Sequence, residues 1–282
     1  MTLTRCSGYG ACMHVVELYV YPLKSGAAVP RKAAELTSRG FKDDRRWMLT
    51  DERGEFLSAR TQPKLLRVQA EQRSEHLICS ADGQPPLKVK APKGESIEVE
   101  IWDRRTSARD AGDEAARWFV DWLGIPCRLV YQDERDRRDV EARPLTRDSD
   151  RVSFADSYPV HLIGTASLAE LNRRLPEGVV AETMRFRPNL LVKTEVPFEE
   201  DGWGELKVGE CEFAQVKRCP RCVLTTRDPA GGEARDDQEP LRTLARFRRE
   251  EGATWFGVNL VPRRLGVVSL GDTVHVAIAS NV

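Results

Sequence analysis

No apolar run in this 282-residue chain approaches the ~20 residues of a membrane span, and the N-terminus carries no apolar signal core. Bulk charge is also missing. Lysine plus arginine and aspartate plus glutamate each number 44, so the formal net charge is zero and long-range electrostatics imply no nucleic-acid or membrane partner. The chain contains no internal repeat, no low-complexity tract and no glycine-rich strand-to-helix fingerprint for a nucleotide. None of the four histidines, His14, His76, His161 and His275, stands at metal spacing from another, so each reads as structural and no Ser-His-Asp order can be argued. Seven cysteines, an odd and scattered set, fit a reducing compartment better than a disulfide framework. The expectation is a soluble, cytoplasmic protein of two ordinary-sized domains, each with its own core.

What is present is a succession of short strands. Residues 1–12 carry no periodicity and precede Met13, after which a strand pattern begins at once; they read as a disordered or non-native extension, with Cys6 and Cys12 outside any function. A β-branched and aromatic run from Val15 ends at Pro22 and is followed by the donor-rich turn Leu23-Lys24-Ser25-Gly26. A hairpin is expected at 47–50 and 55–58, with further strands near 77–79, 87–89 and 97–102, a spacing that suggests a small barrel. Ala115, Trp118, Phe119, Trp122 and Leu123 share one face of a helix predicted over 113–123, capped by Asp110 or Asp113 and stopped by Gly124. A strand at 127–131 precedes residues 132–151, whose mixed charges read as a solvated connector holding the boundary between domains 13–145 and 146–282.

The second half shows a strand through Ile163, a helix from Ser167 to Leu175 with Ser167 and Glu170 as a capping box, and a strand at 190–192. A helix from Glu239-Pro240 through Glu250 and strands near 255–260, 267–268 and 273–278 complete it. The whole is organised around Arg218-Cys219-Pro220-Arg221-Cys222-Val223-Leu224-Thr225-Thr226-Arg227-Asp228-Pro229, a cysteine pair on a loop after an apolar strand. Neighbouring Arg218 and Arg221 would lower a thiol's pKa and favour the anion that attacks or binds a soft metal. Spacing alone leaves three other readings open: half of a zinc site without its second half, a redox dithiol, or two ordinary buried thiols. The dithiol motif opens a helix, whereas Val223 to Thr226 looks extended.

The stretch from Cys219 to Pro229 resembles the C-x-R-C-x-L-T-T-x-D-P run of the molybdenum cofactor sulfurase C-terminal (MOSC) family, in the branch that contains the mitochondrial amidoxime reducing component. The resemblance covers nearly all of the chain after Met13 and implies an α+β, β-rich fold, with an N-terminal β-barrel-like domain followed by a MOSC β-barrel with flanking helices. It also implies a molybdenum-cofactor-dependent reductase of N-hydroxylated compounds such as amidoximes and hydroxylamines. Cys222 takes the place of the metal-ligating thiolate. Tyr21-Pro22-Leu23-Lys24-Ser25 matches Y-P-x-K-S, whose Lys and Ser contact the phosphate end of the molybdopterin, and Asp44-Arg45-Arg46-Trp47 matches D-R-x-W, assigning a cofactor contact to Arg45. Arg187 and Asn189 come from the F-R-P-N match, Ser157 and Tyr158 from a D-[ST]-[ST]-P stretch, and Pro220 and Arg221 from the cysteine motif. Two positions depart from the pattern: Tyr158 replaces a small hydroxyl residue, leaving only its backbone to make the contact, and Pro220 replaces a common serine and removes an N–H. Asp156 becomes the nearest carboxylate to the metal and a candidate proton relay, and the site is expected at the interface of the two domains.

Some relatives carry a ferredoxin domain after this point. The sequence stops at Val282 without its cysteines, so a separate electron-donor protein, a ferredoxin, flavoprotein or cytochrome, is expected to serve it. Lys217, Arg218, Arg221 and Arg227 are the expected basic docking patch for an acidic donor. A second reading makes Cys222 or Cys219 the persulfide carrier of a sulfur-transfer or cofactor-handling protein.

Overall fold

A computed structural model describes residues 13–278; the N-terminal extension with Cys6 and Cys12 lies outside them. The first strand, Val15–Val20, joins the second half of the chain rather than the first. It lies in a large sheet between Val29–Pro30 and Leu190–Val192, followed in order by Val160–Gly164, Ala253–Arg264, Cys211–Pro220, Trp203–Val208 and Val274–Ile278. Most neighbours are antiparallel, but Val160–Gly164 and Leu190–Val192 are parallel, joined by a crossover through the helix Thr165–Arg174. The sheet curls back on itself: Val15 donates to Asp272 O (3.0 Å) and Val274 to Met13 O (2.8 Å), so its two ends meet. Inside it Leu18, Val20, Leu162, Leu190, Phe213, Val258 and Leu260 form an apolar core, and the small sheet of Ala33–Thr37, Gly40–Phe41 and Gly266–Ser269 adds Leu36, Phe41 and Val268. Such closure satisfies strand edges that would otherwise be left unpaired.

The remaining body holds residues 47–131. A four-stranded sheet orders Trp47–Thr50, Arg128–Tyr131, Arg104–Asp110 and Ile97–Ile101, and a meander follows Gln69–Arg73, His76–Ser80 and Leu87–Lys90. The helix Asp113–Leu123 appears where its pattern predicts. It buries Ala115, Trp118, Phe119 and Leu123 against Leu65, Leu77, Leu87 and Leu129 and stops at left-handed Gly124. Its N-terminus has no side-chain cap; Asp110 instead accepts the N–H of Gly112 (2.7 Å) just ahead of it.

Several local expectations are corrected. The helix Thr165–Arg174 starts earlier than predicted and has no capping box: the Ser167 hydroxyl donates to buried Glu200 (2.8 Å), and Glu170 turns outward to Arg173 and Arg174. The helix after Pro240 spans only Leu241–Phe247, because Arg249–Glu250 pairs with the strand Ala253–Arg264. Residues 132–151 are exposed over much of their length, as expected of a connector, but the segment is anchored by side chains that the sequence reading left in solvent. Gln132, Asp136, Arg138 and Asp150 are all buried. Arg138 donates to the carbonyls of Ser153, Ala155 and Asp156, while Asp150 pairs with Arg263 (2.7 Å). Mixed-sign charge reads as solvated when its partners, here backbone carbonyls and a distant arginine, are invisible in the local sequence.

Candidate active site

The turn after the first strand points its side chains into the gap between the two bodies. Ser25 adopts left-handed φ (68°), the Gly26 N–H closes onto Leu23 O (2.9 Å), and the Ser25 hydroxyl oxygen accepts the Ala59 N–H (3.1 Å). Buried Lys24 reaches across the gap, donating to Phe154 O (2.8 Å) and to Asp156 Oδ1 (2.5 Å). Burial pushes its ammonium down to about 8, with Asp156 opposing the shift.

Arg45 is the core of a buried hub. Its guanidinium donates to Asp44 (2.6 Å), to Asn189 Oδ1 (3.2 Å) and to the Arg187 carbonyl (3.1 Å). Asp44 also accepts the Tyr21 N–H (2.8 Å), and the Asn189 amide donates to Tyr19 O (3.1 Å) and Asp44 (3.2 Å). Asn189 thus spends both ends of its side chain inside the protein, joining the first strand to the barrel. Replacing Asp44 with alanine strands the Arg45 charge and the Tyr21 N–H together; a loss of ~3–5 kcal/mol is expected from the urea midpoint. A loss below ~1 kcal/mol would contradict this role.

Beside the hub, left-handed Arg187 (φ 54°) follows the short 3-10 turn Thr183–Phe186. Its guanidinium and that of Arg45 lie 4.3 and 4.0 Å from the Tyr21 ring centre. The Arg187 Nη2 is buried without a hydrogen-bond partner, and burial lowers its pKa to about 10. A desolvated, unpaired N–H on a cation is costly unless an anion arrives.

The cysteine strand is bulged at three points along its pairing and then breaks. Cys211–Pro220 pairs with Ala253–Arg264, the Arg221 N–H is held by Thr254 O (2.7 Å), and Val223–Thr226 forms a 3-10 turn rather than the extended segment expected. Half-buried Cys222 stands at the start of that turn, its carbonyl accepting from the Thr225 N–H and hydroxyl. Arg221 turns inward, donating to Cys219 Sγ (2.9 Å) and Phe186 O (2.7 Å) and lying 3.4 Å from His161 Nε2; its own Nε is buried without a partner. Burial pushes the Cys219 thiol up and Arg221 offsets this only in part, so the expectation that flanking arginines lower its pKa fails. Arg218 cannot help, because it leaves for Glu250 (2.6 Å).

Burial pushes the Asp156 carboxyl up, but the Lys24 ammonium, the Trp102 indole N–H and Arg60 outweigh it and hold it well below the usual carboxylate range. A carboxylate so firmly ionised is a poor proton donor and a good partner for Lys24. Tyr158 sends its hydroxyl away, to Glu141 O (3.1 Å). Of the four basic residues expected to dock a donor, Lys217 pairs with Glu141 (3.3 Å) and Arg218 with Glu250, Arg221 turns inward, and Arg227 keeps its charge while donating to Gly232 O and Arg60 O.

Nevertheless, all eleven residues nominated from the sequence line one cleft: Lys24, Ser25, Arg45, Asp156, Ser157, Tyr158, Arg187, Asn189, Pro220, Arg221 and Cys222. Its enclosed part is about 140 Å³, below the ~300–1,000 Å³ of typical small-molecule sites, and the rest of the cleft is open to solvent. Sequence reasoning missed Phe56, Arg60 and His161, which line it too. Burial and the neighbouring Arg221 and Arg45 keep His161 neutral, and its Nε2 faces Arg221 as an acceptor. A lone histidine on an apolar strand carries no local sign of this. The lining charges are Lys24, Arg45, Arg60, Arg187 and Arg221 against Asp156, so the cleft is built for an anion.

Residues 12–126 match the MOSC N-terminal beta barrel domain and residues 149–275 the MOSC domain. The chain belongs to the MOSC family. Within it, the chain is 34% identical to mitochondrial amidoxime reducing component 2 of Rattus norvegicus, over 93% of this chain and 82% of that protein. It is 32% identical to mitochondrial amidoxime-reducing component 1 of Homo sapiens over the same shares. The β-rich architecture is therefore that of a MOSC N-terminal barrel domain with a MOSC domain, and both relatives are named for reducing amidoximes. Among the described residues no helix is long and apolar enough to cross a membrane.

Proposed function

We propose that this MOSC protein is a molybdenum-cofactor-dependent reductase of small N-hydroxylated compounds, with Cys222 as the protein's thiolate ligand to the metal. The observation that carries this reading is the cleft itself, where cations, including an Arg187 N–H buried without a partner, converge beside the exposed edge of a cysteine loop. The donor set fits the cofactor. Lys24, the Ser25 hydroxyl and Arg187 suit a dianionic phosphate end, Ser157 and the backbone of Tyr158 and Pro220 supply polar wall, and a thiolate suits a soft metal. When bound, the cofactor supplies two-electron oxygen-atom transfer.

The chain's own residues bind and orient. Arg45 and Asn189 hold the first strand against the barrel so that Lys24 and Arg187 converge, and Arg138 fixes the carbonyls that carry Asp156 and Ser157. Asp156 preserves the charge of Lys24, and solvent at the cleft mouth supplies the two protons that leave with oxygen as water. Electrons come from a separate donor protein, and the reading places the chain in the cytoplasm; the mitochondrial location in the relatives' names is theirs.

Purified protein should contain stoichiometric molybdenum and reduce benzamidoxime with a reduced viologen, but not with NADH or NADPH alone. Turnover on nicotinamide without a partner would contradict the separate donor, and an active preparation free of molybdenum would contradict the whole reading.

A further inference from the structure

Two residues join Ile97–Ile101 to Arg104–Asp110, and both have left-handed φ: Trp102 (51°) and Asp103 (59°). Tight hairpin turns of this hand favour Asn-Gly, and a bulky aromatic there is an outlier. Such a strained position is retained where its side chain has work to do. The Trp102 side chain packs behind the cleft, against three of its lining residues. Its indole N–H donates to Asp156 Oδ1 (3.1 Å), the Arg60 guanidinium lies 4.2 Å from its ring centre, and the Phe56 ring meets it edge-on at 4.6 Å. Trp102 is nevertheless 38% exposed. Arg60 is pinned from the other side, because its carbonyl accepts from Arg227 of the cysteine loop (2.9 Å). A cleft-lining guanidinium held over an indole presents a cationic group of fixed position, and the N-terminal body supplies both parts.

We propose that the Trp102–Arg60 stack is the substrate-selecting wall of the cleft, favouring N-hydroxylated compounds whose reacting group is conjugated to a flat ring over those that carry it on an alkyl chain. A conjugated ring slides against the guanidinium face and gains stacking and cation–π attraction, while an alkyl group gains only contact area. The proposal rests on the reductase reading for its substrate, and binding is therefore measured apart from turnover.

The experiment titrates the molybdenum-loaded protein calorimetrically with benzamidoxime and acetamidoxime, and measures kcat/KM for both with a chemical donor. Wild type binds the aryl compound more tightly. Trp102→Leu and Arg60→Met, the second leaving the hairpin untouched, should each shrink the aryl-to-alkyl ratio by about five- to tenfold, through the aryl constant alone. Trp102→Phe, which keeps a ring but loses the bond to Asp156, should keep most of the preference. Equal binding of both compounds by wild type, or an unchanged ratio in both the Leu and Met variants, overturns the wall. Equal losses in the Phe and Leu variants also overturn it, since Trp102 would then act through Asp156. Aryl-selective binding without reduction of either compound would refute the reductase reading and leave the wall standing.

Discussion

Cys222→Ser should abolish reduction of an N-hydroxylated compound, whereas Cys219→Ser should stay active. The serine alkoxide is too basic to form at neutral pH and too hard to replace a thiolate on a soft metal, so the loss at Cys222 should exceed the ~10–100-fold typical of groups outside the ligand shell. Cys219 sits half-buried with its sulfur against Arg221, and burial keeps it a thiol. Serine there can still accept the Arg221 N–H, so activity should fall by no more than about tenfold. The readout is viologen-driven turnover per protein. Equal collapse of both variants would instead support a dithiol or persulfide mechanism.

The second large effect is on cofactor retention. Lys24→Ala and Arg187→Ala should each strip most of the molybdenum from the purified protein, leaving activity per bound metal nearly unchanged, because both are assigned to binding rather than to the reacting atoms. The Lys24 part carries a pH signature. Burial holds its ammonium at about 8 rather than in the usual lysine range. Below that pH the group is charged and attracts a phosphate dianion; as pH rises through it the charge is lost. Loading of cofactor-free protein should thus weaken between pH 7 and 9, with Arg187, held at about 10, supplying what remains. Loading that is flat across this range, or full metal content with lost activity in the alanine variants, would show that these cations are misassigned.

How far the sequence revealed this site depended on whether a residue's partners were local. The helix Asp113–Leu123 was legible because its apolar stripe and its terminating Gly124 lie in one short window. The cysteine strand was legible from Cys211 to Val216, but the following turn was not: Val223 to Thr226 is β-branched and apolar, yet the Cys222 carbonyl recruits the Thr225 N–H and hydroxyl and folds it into a 3-10 turn. Motif resemblance brought the eleven nominated residues to one cleft, without separating those that face a ligand from those that build the wall. Asn189 turns its polar atoms inward to Asp44 and Tyr19, far away in the chain, and Tyr158 sends its hydroxyl away from the cleft to the Glu141 carbonyl. Arg138 shows the same limit from the other direction: its composition context is that of a loop, but its three carbonyl partners bury it. Contacts made across 130 or more residues, such as Lys24 to Asp156, leave no periodic trace.

The central claim, that Cys222 supplies a thiolate to a molybdenum ion held in the cleft between the two bodies, is tested most directly by X-ray absorption at the molybdenum edge on wild-type and Cys222→Ser protein, each loaded with cofactor. The variant should show one fewer sulfur neighbour at the metal with the remaining shell intact. An identical sulfur shell in both proteins would contradict it.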